Sequence, residues 1–93
     1  MWHIEMTAEM LAAVKKGIDD QLKGIVPLLT GDAAEVYFDF YDDPEIRAYA
    51  AEQIEVLVRP PFGGRLAVTI GDSGTEHLAR ASLKVGPNNG GDG

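Results

Sequence analysis

Two spacings in this sequence bring reactive side chain types within reach of one another. Ser73 precedes His77 by four residues, and a serine becomes a nucleophile only when a neighbouring base takes its proton. Asp39, Asp42, Asp43 and Glu45 crowd four carboxylates into a short stretch, material for acid/base catalysis or for a divalent cation. His3 and His77 are the only histidines. Two isolated imidazoles do not make a zinc site, and both read as surface or packing residues. The chain has no cysteine, which excludes disulfides, thiolate metal sites, Fe–S clusters and cysteine nucleophiles.

Neither constellation carries the rest of its machinery. Gly71-Asp72-Ser73-Gly74 resembles the GDSG string around the nucleophile of chymotrypsin-like serine proteases. The match covers four residues, continues into Thr75 and Glu76, and sits in a chain of 93 residues, too short for two barrels with a spaced His and Asp. An orienting acid and an oxyanion hole do not follow from spacing, so this segment is read as a hairpin turn. The carboxylates depart from the D-x-D-x-D-G calcium loop. No G-x-x-x-x-G-K-[ST] or G-x-G-x-x-G string supports phosphate binding. The expectation is a non-enzymatic protein with no catalytic residues, no cofactor and no metal site.

The elements that position these residues follow from periodicity. Thr7 reads as an N-cap, with Glu9 favourable beside the positive end of a helix dipole. Leu11, Val14, Ile18, Leu22 and Ile25 then recur at steps of three and four on one stripe. Gly17 weakens that helix by about 1 kcal/mol relative to alanine, as though another backbone came close there. Gly24 and Pro27 signal its end, and a connector runs to Ala34. Glu35 to Tyr41 is a strand, with Val36, Phe38 and Phe40 on the core face and Tyr37, Asp39 and Tyr41 on the wet one. Asp43 caps a second helix opening at Pro44, with Ile46, Tyr49, Ala50 and Ile54 inward. Residues 54–59 suit either helix or alternating strand. Pro60 to Gly64 forms a loop, and Leu66/Val68/Ile70 and Ala79/Ala81/Leu83/Val85 alternate as a hairpin. Trp2, Ile4 and Met6 alternate as a short strand.

This places the chain in the α+β class. We expect one domain over residues 1–85, an antiparallel sheet of three to five strands with two amphipathic helices on one face, in the order (β)αβα(β)ββ. Residues 86–93 form a Gly/Asn-rich tail with nothing to bury, expected to be disordered. No apolar run approaches a membrane span, and no export signal is visible, so a cytoplasmic location is the default.

The charge is unevenly placed. Residues 32–55 hold Asp32, Glu35, Asp39, Asp42, Asp43, Glu45, Glu52 and Glu55 against Arg47 alone, so the whole formal charge of −7 falls in that window. Such a balance opposes direct binding to nucleic acid or anionic lipid. It favours a basic protein surface docking on Tyr37, Asp39, Tyr41, Asp42, Asp43 and Glu45, as an inhibitor or adaptor would arrange. The competing account assigns the same residues to helix capping, solvated faces and cross-strand packing. A self-assembling subunit, joined through open sheet edges, is the alternative role, with a small-molecule enzyme ranked below both.

Overall fold

A computed structural model of the chain describes residues 6–29 and 34–86. Helix α1 spans Ala8–Ile25, strand β1 Ala34–Tyr41, helix α2 Pro44–Gln53, strand β2 Leu66–Asp72 and strand β3 Leu78–Val85. Two helices pack on a three-stranded antiparallel sheet ordered β1-β3-β2, so the fold is α+β, in the order αβαββ. The expected strand at Trp2–Met6 falls outside the described residues except for Met6, which belongs to no element. Residues 87–93 of the expected tail, and Asp32, also lie outside them. Gly86, assigned to the tail from sequence, is tied down. Its N–H donates to the Arg65 carbonyl at 2.9 Å, and its own carbonyl accepts from Arg65 Nε and Nη2 at 3.3 and 3.2 Å.

Both helix starts follow local rules. Thr7 Oγ1 accepts from the Met10 N–H at 3.1 Å, and Asp43 Oδ1 accepts from the Glu45 N–H at 2.8 Å, each satisfying a donor that the first turn leaves without a partner. Ile18, Leu22 and Ile25 of α1 and Ile46 and Ala50 of α2 are buried. Lys15 bonds Glu45 at 3.0 Å, and Asp19 accepts from Tyr49 Oη at 2.8 Å and from Gln53 Nε2 at 2.9 Å. These contacts step in the same direction along both helices, which therefore run parallel. The Asp19 carboxylate, through its hydrogen bond, raises the Tyr49 phenol above its ordinary pKa.

The ambiguity at residues 54–59 resolves as helix. Ile54–Val58 continues α2 as a π-helical turn, closed by the Arg59 N–H donating to the Ile54 carbonyl at 3.0 Å. Ile54 and Val58 are fully buried while Val56 is 58% exposed; burial at a spacing of four, with the residue between them in water, is incompatible with a strand. Arg59 fixes this end: its guanidinium forks onto Glu55 at 2.6 and 3.0 Å and reaches the Gly63 and Leu66 carbonyls. Of the two alternatives left open at this position the helix is the one formed, and among the described residues the sheet has three strands. Gly17 also departs from expectation. Among the described residues a Cβ there would meet nothing within 4 Å, so no close backbone approach is seen to require the glycine.

In the sheet, β3 is central. Leu83 stands between Val36 and Val68, and Ala81 between Phe38 and Ile70. Ala79, Ala81, Leu83 and Val85 are buried together with Phe38, Phe40 and Leu66. Small alanines on the middle strand leave room for the phenyl rings of its neighbour, whose centroids lie 5.8 Å apart. Leu29, in the segment read from sequence as a plain connector, is 1% exposed and joins this core.

Candidate functional site

Burial of Phe38 and Phe40 against the helices fixes the opposite face of β1. Alternation turns Glu35, Tyr37 and Asp39 away from the core, while Tyr41, at the end of the same row, is half-buried and packs against the margin of the core. Across the ladder these residues face Lys84, Ser82, Arg80 and Leu78, and Ala67, Thr69 and Gly71 of β2 complete the surface. Tyr37 is 59% exposed and Tyr41 is half-buried. Asp39 is not a free carboxylate: Arg80 Nε and Nη2 donate to its two oxygens at 2.8 and 3.2 Å. These hydrogen bonds hold the Asp39 carboxyl below its usual pKa. The Arg80 guanidinium also lies over the Tyr37 ring, 4.2 Å from its centroid, close enough for a cation–π contact.

The other three predicted residues sit where β1 turns into α2. Asp42 is forked by Arg47 at 2.6 and 3.0 Å, and Arg47 Nη2 also reaches Asp72 at 3.3 Å. The hydrogen bond from Arg47 lowers the Asp42 pKa. Asp43 is used as the cap, and Glu45 pairs with Lys15 at 3.0 Å. The six residues therefore form two groups: Tyr37, Asp39 and Tyr41 in one row on the open face, and Asp42, Asp43 and Glu45 around a helix start. Asp39, Asp42, Glu45 and Glu55 all carry cationic partners. A continuous anionic patch, expected from the sequence window, is thus broken up by arginines and a lysine. Sequence reasoning missed Arg80 and Lys15, which lie 41 and 30 residues from the acids they meet. A cross-strand register between β1 and β3 was the only signal able to reveal Arg80.

Two shallow concavities flank these groups. One, of about 360 Å³, lies at the tip of the β2–β3 hairpin and includes Asp42, Asp72, Glu76 and His77 in its lining. The other, of about 280 Å³, runs between α1 and the outer edge of β1 and is lined by Val14, Gly17, Ile18, Gln21, Asp39, Phe40 and Tyr41. Among the described residues no three His, Cys, Asp or Glu side chains converge as metal ligands, and every buried side-chain polar atom has a hydrogen-bond partner. Ser73 organises the hairpin turn. Its hydroxyl accepts from the Thr75 N–H at 2.9 Å and bonds the Thr75 and Leu78 carbonyls at 3.2 and 3.0 Å. His77 adopts a left-handed φ of 71° and contributes its carbonyl to the Asp42 N–H at 2.9 Å.

Among the described residues no helix is long and apolar enough to cross a membrane. No family model, curated protein or solved structure matches the chain.

Proposed function

We propose that this chain is a small protein-binding domain, acting as an inhibitor or adaptor, which presents the open face of β1 to a basic partner. The observation that carries the reading is the row Glu35, Tyr37 and Asp39, turned away from the helices with the Tyr37 ring 59% exposed. Tyrosine offers a large contact area at small entropic cost, and arginine-matched carboxylates set register more than they add affinity. The formal charge of −7 draws a basic partner from a distance, even with local pairs formed.

The ion pairs decide which variants test this. Reversing Asp39, Asp42 or Asp43 removes a partner from Arg80, a partner from Arg47 or a helix cap, and so confuses binding with folding. Tyr37→Ala with Glu35→Gln alters the same row while leaving those pairs in place and setting no like charge against Lys84 across the ladder. Affinity purification from the native host, with the parent and the double variant as baits, is expected to recover a basic protein on the parent alone. Equal recovery on both baits rejects the reading.

A self-assembling subunit is favoured by one separate observation: among the described residues, β1 and β2 are the edges of the sheet and pair with no further strand. Sedimentation at high protein concentration separates the readings, since a strict monomer eliminates assembly.

A further inference from the structure

Among the described residues, no strand pairs with the outer edge of β1. Its eight residues pair with β3 without a bulge, and among the described residues no backbone group of 34–41 bonds outside that ladder. Ala34–Tyr41 holds no proline, lysine or bulge, and its charged residues are the acids Glu35 and Asp39, which discourage an acidic neighbour and favour a basic one. Alongside this edge runs the groove whose far wall is α1. Gly17 lines it from a helix interior, where glycine is less favourable than alanine, and among the described residues nothing comes within 4 Å of the place a Cβ would take. A larger side chain at this position would therefore enter the groove rather than clash with the described residues.

The side chains on either side of the edge specify what that backbone carries. Toward the helices an added strand meets Val14, Ile18 and Phe40, an apolar wall. Toward the open face it runs beside Glu35, Tyr37, Asp39 and Tyr41. Arg80 already shows how a cation is held there, stacked on Tyr37 and forked onto Asp39 from the β3 side; Glu35 and Tyr37 are the exposed residues of the same row. Cross-strand neighbours of opposite charge stabilise pairing, whereas like charges oppose it. A second copy of β1 centred on Tyr37 would set Glu35 against Asp39, carboxylate against carboxylate.

We propose that the outer edge of β1, walled by α1, receives an extended segment of a basic protein as a fourth strand, its apolar residues facing α1 and its Lys or Arg residues alternating onto Glu35, Tyr37 and Asp39. This rests on the protein-binding reading above and narrows it to strand addition.

The test is selection from a displayed library of random dodecapeptides on the full chain, followed by affinity measurement against Gly17→Leu, with sedimentation of both proteins. Leucine favours helix, and a melting curve confirms that the variant is folded. Expected are peptides that alternate apolar residues with Lys or Arg, bind Gly17→Leu about tenfold or more weakly, and protect the Glu35–Tyr41 amides from hydrogen exchange. Basic peptides without alternation that bind both proteins equally overturn strand addition while leaving the acidic-surface reading standing. No enrichment of basic residues overturns both. A dimer that Gly17→Leu dissociates assigns the groove to a second copy and overturns the proposal.

Discussion

Arg80 binds both oxygens of Asp39, at 2.8 and 3.2 Å, while its guanidinium covers the Tyr37 ring at 4.2 Å. One residue of the central strand thus orders two residues of the edge strand, and of the two carboxylates on that face the half-buried Asp39, not the exposed Glu35, is matched through both oxygens. Near-surface pairs of this kind contribute little to stability. Arg80→Gln is therefore expected to lower the melting temperature by a few degrees only, with the fold retained by circular dichroism. Loss of folding in this variant would show that the pair holds the sheet together.

Acid should weaken the fold through three carboxyls. Hydrogen bonds from Arg80, Arg47 and Arg59 hold Asp39, Asp42 and Glu55 below their ordinary pKa values. A carboxyl lowered in the folded state contributes stability above its unfolded pKa, roughly 4, and loses that contribution as pH falls through the folded value. Denaturant melts are expected to give constant stability from neutral pH to about 5 and a decline below about 4. Asp39→Asn combined with Asp42→Asn and Glu55→Gln should flatten that acid limb.

Leu83 is fully buried at the centre of β3, between Val36 and Val68. Truncation to alanine removes packing that neither neighbour can replace. Leu83→Ala should cost about 3 kcal/mol in denaturant unfolding, within the usual range for buried leucines. A loss of under about 1 kcal/mol would mean the sheet relaxes around the cavity.

Gly17→Ala should stabilise the free protein by about 1 kcal/mol, because it improves helix propensity and the new methyl meets open space. Thermal or denaturant melting checks this directly. A loss of stability would mean that the helix interior at this position is more crowded than its geometry shows.

The hairpin turn should respond in opposite directions to two changes. Ser73→Ala removes the hydroxyl that bonds Thr75 and Leu78, at an expected cost of about 1 kcal/mol. His77→Gly relieves a side chain held at φ 71° and should gain about 0.5–1 kcal/mol. Equal losses from both variants would contradict this account of the turn.

The parts of the fold legible in the sequence were those set by near neighbours. Thr7 and Asp43 read as caps because a cap acts within three residues. The stripe Ile18, Leu22 and Ile25 and the alternation of Phe38 and Phe40 read correctly because each element's period is local. Ile54 to Arg59 stayed open because Ile54, Val56 and Val58 satisfy a strand's alternation while Ile54, Val58 and the Glu55–Arg59 pair satisfy a helix's spacing of four. Burial of Ile54 and Val58 under the sheet decided between them. Tyr37, Asp39 and Tyr41 were rightly placed on one face by alternation alone, but their surroundings were not legible.

What the amino-acid order determined by itself was the α+β class, the helix starts, the strand faces and the absence of thiol chemistry. Tertiary structure alone decided where the charge went. Acids clustered in residues 32–55 looked like one surface, yet folding brought Arg80 and Lys15 to them and divided the described ones between a sheet face and the two ends of α2. Proximity in sequence fixes charge density along the chain, whereas the field outside the protein depends on distances that only strand register and helix packing create.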